Sequence, residues 1–182
     1  MPTNMTEDID LSNLENRCIL IIDDNKSIHK DYRTVLCPDA EDESEEKLDQ
    51  LEDMLFGEDD EPATRPKRIR NFALTSAYQG EEAYNIVKEG KNKNLRYPMA
   101  FVDMRMPPGW DGLETIEKIR ELDQDMLFMI VTAYSDHTFE TIVERLGPSV
   151  PVRILYKPFD PKEIYSTAYK MVSKWNELNI TR

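Results

Sequence analysis

The stretch Cys18-Ile-Leu-Ile-Ile22 ends on two aspartates, Asp23 and Asp24. Five consecutive apolar residues, mostly β-branched, are too short for a buried helix and lack the alternation of a half-exposed strand. They fit a strand buried on both faces, the mark of a parallel sheet. The pattern returns along the chain. Strands are predicted over 72–77, 99–103, 126–132 and 152–156, separated by helical periods over 27–36, 80–89, 111–122, a segment capped by Asp136 that stops at Gly147-Pro148, and a last helix from about Asp160. Ser27 is the expected N-cap of the first helix, with Ile28, Tyr32, Val35 and Leu36 on one face. Five strands alternating with five helices predict an α/β fold, a doubly wound five-stranded parallel sheet with helices on both faces.

Charge divides the chain unevenly. The net charge is −13, yet the 39–61 segment alone holds thirteen acids against one base, Lys47. That segment accounts for −12, and the remainder carries −1. The expected organisation is a polar leader over 1–16, a domain over 17–178 interrupted by an acidic insert over 38–66, and a short tail over 179–182. Inside the insert Leu48, Leu51 and Leu55 sit at helical spacing, predicting a short amphipathic helix that docks on its own domain or, less simply, on a partner. An acidic surface repels nucleic acid and anionic membrane, so neither is an expected partner. No run approaches the roughly 18 apolar residues of a membrane span. The start is polar rather than signal-like, and two cysteines, Cys18 and Cys37, make no disulfide framework. A cytoplasmic protein with free thiols in packing roles is the expectation.

Ligands of open parallel sheets bind beyond the carboxyl ends of the strands. Strand one ends in Asp23 and Asp24, strand three in Asp103, strand four in Thr132, and strand five runs to Lys157. Three carboxylates at one rim repel and call for a cation. An all-oxygen set with few protein ligands selects a hard ion that keeps its waters, Mg²⁺ rather than Ca²⁺. A hydroxyl and an ammonium at the same rim suit phosphoryl oxygens. Asp103, on the central strand, is the choice for a nucleophile that would become an aspartyl phosphate. Each piece alone has a plain structural role, as helix cap, strand end or turn; their joint occurrence at four strand ends is what carries the reading.

The stretches Ile21-Ile-Asp-Asp-Asn25, Phe101-Val-Asp-Met-Arg-Met-Pro107 with Trp110-Asp-Gly112, Ile130-Val-Thr-Ala133 and Tyr156-Lys-Pro-Phe159 resemble the receiver domain of two-component response regulators. The resemblance covers about residues 17–175, apart from the insert. It implies the flavodoxin-like strand order 2-1-3-4-5. It also implies Asp103 as phosphoacceptor, Asp23, Asp24, Asp103 and the backbone carbonyl of Arg105 as Mg²⁺ ligands, and Thr132 and Lys157 as holders of the phosphoryl group. A histidine kinase or phosphotransfer protein would be the donor, in a phosphorelay. The loop after the phosphoacceptor, Pro107-Pro108-Gly109-Trp110-Asp111, is one residue longer than the family's usual form. In this and in the acidic insert the chain is similar to receivers attached to hybrid sensor kinases. Ile154 stands where the family often has an aromatic switch residue, and Arg105 and Tyr134 occupy positions that tune phosphoryl lifetime.

Other residues receive plainer readings. His29 and His137 are expected at a helix surface or cap. Trp110 either covers the site or shields its own loop. Ile164, Ala168, Met171, Trp175 and Leu178 form a heptad stripe on the last helix whose far end is expected to outrun the sheet. A homodimer seam or a connector to an output domain would then cover it. A haloacid-dehalogenase-type Mg²⁺-dependent phosphohydrolase also uses a strand-end aspartate, but it needs an acid two residues on, where this chain has Arg105. A scaffold receiver that is never phosphorylated is the remaining alternative.

Overall fold

The computed structural model describes residues 11, 13–38, 71–133 and 139–179. Five parallel strands, β1 (Cys18–Ile22), β2 (Ala73–Ala77), β3 (Met99–Asp103), β4 (Leu127–Ala133) and β5 (Val152–Lys157), form one sheet in the order β2-β1-β3-β4-β5. Helices α1 (Lys26–Leu36), α2 (Gly80–Asn92), α3 (Gly112–Leu122), α4 (Phe139–Leu146) and α5 (Pro161–Asn179) alternate with them. The expected fold and strand order are both present. The expected helix of the acidic insert, the Asp136 cap, Tyr134 and His137 lie outside the described residues.

The central strands are apolar on both sides because both sides are covered. Leu20, Ile22, Ala100, Val102, Phe128 and Ile130 face one layer with Ala83, Val87, Ile116, Ile119 and Ile142. Their neighbours Ile19, Ile21, Met99, Phe101, Met129 and Val131 face the other, with Tyr32, Leu36, Ile164, Ala168 and Val172. A period of two within each strand thus feeds two cores.

Local chemistry sets the element ends. Asn25, not Ser27, caps α1: its side chain accepts from the Ser27 N–H, so Ser27 is already inside the helix. Asp111 caps α3 by accepting from the Glu114 N–H at 2.7 Å. Gly147 follows α4 at φ +87°, the left-handed conformation that ends helices on glycine, and its N–H returns to the Val143 carbonyl.

Packing settles both ends of the domain. The end of the leader is docked: Leu11 is fully buried among α1 and α5 side chains, and Asn16 exchanges hydrogen bonds with Asn176. The far end of α5, expected to outrun the sheet, is covered at Trp175 but not at Leu178. Trp175 is only 6% exposed, and the Arg96 guanidinium covers its ring at 5.1 Å. Arg96 is itself held by Asp123 at 2.6 Å and Asp125 at 3.0 Å. Of the heptad stripe only Leu178 is left exposed. Among the described residues no helix is long and apolar enough to cross a membrane.

Candidate functional site

The register explains why distant residues meet. Ile22 lies beside Val102, Asp103 beside Val131, and Ala133 beside Lys157. Asp23 follows Ile22 directly, so β1, β3 and β5 deliver their polar ends to one rim. Lys157 Nζ donates to Asp103 Oδ1 at 2.7 Å and to Asp23 Oδ2 at 3.4 Å. One ammonium therefore joins the end of the edge strand to two carboxylates on interior strands.

Each carboxylate has a second anchor. Asp23 Oδ1 accepts from the Asn25 N–H at 2.8 Å, and Asp103 Oδ2 accepts from the Arg105 N–H at 2.9 Å. These bonds span two residues each, the local turn that an aspartate makes at the end of a strand. Burial pushes the Asp23 carboxyl above its usual range, and the Asp103 charge adds to this, against the pull of the Asn25 N–H and Lys157. For Lys157 burial favours the neutral amine, but the hydrogen bond to Asp103 and the charges of Asp103 and Asp23 outweigh it and raise the ammonium above its ordinary value.

The other expected residues sit around this triplet. Asp24 is exposed at the rim. Thr132 is 1% exposed and its hydroxyl donates to the Ala133 carbonyl at 3.1 Å. Among the described residues no set of three His, Cys, Asp or Glu side chains is arranged to hold a metal ion. Instead, the Lys157 ammonium bridges Asp23 and Asp103.

The loop beyond Asp103 is folded back by its glycine. A Cβ at Gly112 would lie 2.5 Å from the Asp103 carbonyl oxygen and 3.0 Å from Met104 Cα, and the Gly112 N–H donates to the Met104 carbonyl. Both obstacles are backbone, so they cannot step aside. Gly112→Ala is expected to cost about 1–3 kcal/mol, the range for overpacking, read as a lower midpoint in urea with an unchanged slope. Trp110 meets Tyr84 of α2 edge-on at 6.0 Å, a contact that ties the loop to its neighbour.

His29 departs from expectation. It is 7% exposed, with Nε2 at 2.7 Å from the Asp23 carbonyl oxygen and Nδ1 at 2.9 Å from Ser76 Oγ. The signal was in the sequence: His29, Tyr32 and Leu36 share one helical face, and all three are buried.

Residues 64–169 match the model of the response regulator receiver domain. The chain belongs to that family. A receiver's chemistry is confined to its own phosphorylation and dephosphorylation in two-component signalling; it is not an enzyme acting on outside substrates. The matched stretch starts after β1, so Asp23 and Asp24 join the receiver through the sheet rather than through that match. The receiver is 30% identical over 111 residues to "Hybrid signal transduction histidine kinase I" of Dictyostelium discoideum, covering 60% of this chain. It spans only 6% of that relative's length. Among solved structures it is similar to the signal receiver domain of a putative Luxo repressor protein from Vibrio parahaemolyticus, with TM-score 0.63 and 12% identity over 92% of this chain and 98% of the other. It is also similar to a CheY-like response regulator receiver domain protein from Methanospirillum hungatei, with TM-score 0.58 and 16% identity over 90% and 99% of the two chains.

Proposed function

We propose that this receiver takes a phosphoryl group on Asp103 from a phosphohistidine of a histidine kinase or phosphotransfer protein. The 2.7 Å contact between Lys157 and Asp103 carries the reading, because it marks Asp103 as the carboxylate whose charge the rim is built to manage. In the transfer an Asp103 oxygen forms a bond to phosphorus while the bond from phosphorus to the histidine nitrogen breaks. The leaving nitrogen keeps the electron pair of that bond, and the other ring nitrogen carries the proton that makes the departing imidazole neutral. Lys157 then pairs with the new phosphoryl oxygens, and Thr132 donates its hydroxyl to them once it turns from the Ala133 carbonyl. Arg105, two residues past the nucleophile, is a permanent cation and cannot serve as the acid that a phosphohydrolase of the dehalogenase type needs. The Asp103–Lys157 pair weighs against an unphosphorylated scaffold.

The donor set fits Mg²⁺. It consists of hard oxygens alone, and the burial and repulsion that push the Asp23 carboxyl up are what a second cation would relieve. Asp23, Asp24, Asp103 and the Arg105 carbonyl would hold the ion. When bound, it would screen the charge between nucleophile and phosphoryl group. Exposed Asp24 would touch it directly, and buried Asp23, already engaged by Lys157 and the Asn25 N–H, would act more through water. In a Mg²⁺ titration followed by tryptophan fluorescence, Asp24→Ala is expected to weaken binding about tenfold or more, and more than Asp23→Ala does. The reverse order would exchange the two roles.

The likeness to a hybrid kinase and the acidic insert support a place in a phosphorelay, with the receiver linked to or serving such a kinase. With Trp175 packed on its own domain, α5 offers little for the homodimer seam expected from its heptad stripe; a connector reading rests on Leu178. The output is a shift between conformations. The phosphoryl group, carrying about −1.5 to −2 in place of the single carboxylate charge of Asp103, can make about 1–3 charge-assisted hydrogen bonds, enough to bias a gap of a few kcal/mol.

A further inference from the structure

We propose that His29 is a positioning residue for the acid pair, acting through the Asp23–Asp24 peptide and not through either carboxylate. This rests on the reading of those acids as holders of a divalent cation. The His29 ring stands between two strands. Its Nε2 lies 2.7 Å from the Asp23 carbonyl oxygen at the end of β1, and its Nδ1 lies 2.9 Å from Ser76 Oγ on β2.

A carbonyl oxygen can only accept, so Nε2 carries the hydrogen. In the neutral ring Nδ1 is then the acceptor, and the Ser76 hydroxyl donates to it. The partners thus set the tautomer, and Ser76 fixes the plane of the ring. The peptide before Asp23 is held differently: its N–H donates to the Ala77 carbonyl at 3.1 Å, as a last rung towards β2. β1 has already ended at Ile22. The next carbonyl, that of Asp23, is gripped by His29 instead. The peptide to which that carbonyl belongs joins Asp23 to Asp24.

Its plane sets where the Asp24 Cα and side chain leave the backbone. Asp24 is exposed, so its direction depends on the backbone that carries it. The ring of Tyr78 packs against His29 at 4.6 Å between centroids, and Lys26 Nζ lies 5.8 Å from the Tyr78 centroid. The Tyr78 ring thus packs on the histidine and carries Lys26 near its own centroid. Groups that orient metal ligands in this way are typically worth about 10–100-fold in metal affinity.

The test is Mg²⁺ affinity of the full chain, measured by calorimetry with no phosphodonor present, beside thermal unfolding in chelator. His29→Phe keeps a ring and loses both hydrogen bonds. His29→Gln can restore a donor near the Nε2 position. Ser76→Ala frees the ring plane. A weakening of about tenfold or more is expected for His29→Phe, with His29→Gln within about threefold of wild type and Ser76→Ala between them. A role in folding alone would lower the unfolding temperature and leave Mg²⁺ affinity unchanged. Asp24→Asn runs alongside. Wild-type affinity in His29→Phe, with affinity lost in Asp24→Asn, overturns the positioning role and leaves the metal reading standing. Wild-type affinity in Asp24→Asn overturns both. Equal weakening in the Phe and Gln variants also overturns the role, since the hydrogen bond would then not be its cause. Should His29→Phe fail to fold, Ser76→Ala decides: weakened binding supports the role and wild-type binding removes it.

Discussion

Asp103→Asn is expected to lose the phosphoryl adduct completely when the chain is incubated with acetyl phosphate and Mg²⁺ and its intact mass is measured. The substitution keeps the shape of the side chain and an oxygen that can still accept from the Arg105 N–H or from Lys157 Nζ. What it removes is the charged oxygen that attacks phosphorus, and a neutral amide is no substitute for a carboxylate nucleophile. Wild type in excess chelator should also stay unmodified. An adduct that survives Asp103→Asn in a folded variant would place the phosphoryl group elsewhere. An adduct formed equally well in chelator would remove the metal from the reaction.

Lys157→Met is expected to lower stability in a way that depends on pH and on Mg²⁺. The variant keeps most of the apolar stem of the side chain but leaves Asp23 and Asp103 facing each other without their bridging cation. Breaking a buried pair costs about 3–5 kcal/mol. The Lys157 side chain is 30% exposed, so solvent screening reduces this to about 2 kcal/mol at neutral pH. For a domain of this size that corresponds to a fall of about 4–8 °C in unfolding temperature.

The pH dependence has a definite sign. The folded-state value of Asp23 is raised, so its contribution to stability is complete in acid, below the ordinary carboxyl range, and declines as pH rises through that raised value. Without Lys157 the rise is larger, so the deficit of the variant should shrink on acidification. In wild type the Lys157 contribution is present at neutral pH and disappears in strong alkali, as pH passes through its raised value. Mg²⁺ should rescue the variant more than wild type, because it supplies the missing positive charge. A Lys157→Met chain as stable as wild type at neutral pH, with no response to acid or Mg²⁺, would mean that the rim carboxylates do not depend on this lysine.

What could be read from the chain was whatever depends on neighbours in sequence. Met99-Ala-Phe-Val-Asp103 is a strand by composition and length, and its bounds agree with β3. The alternation of strand and helix leads to a doubly wound sheet, because a parallel crossover needs a helix and both faces must be covered. The strand-end residues Asp23, Asp103 and Lys157 are legible for the same reason: parallel strands send all their carboxyl ends to one side. Asn25 was missed as a cap because Ser27 and Asn25 are both good caps, and only the backbone path decides which one precedes the first turn.

Contacts between elements far apart in sequence were settled by the tertiary structure. It decided that one lysine, Lys157, reaches both Asp23 and Asp103. A strand-end motif fixes which side chains reach the rim but not their final separations. It also spent Trp175 of the α5 stripe on the domain itself, because Arg96, held by Asp123 and Asp125, closes over its ring. Periodicity marks a face as apolar without saying what covers it. His29 shows the same limit. Its place on the Tyr32–Leu36 face was visible in the sequence, but its two partners were not. The Asp23 carbonyl is six residues away and Ser76 is forty-seven, and only the pairing of β1 with β2 puts both within reach of one ring.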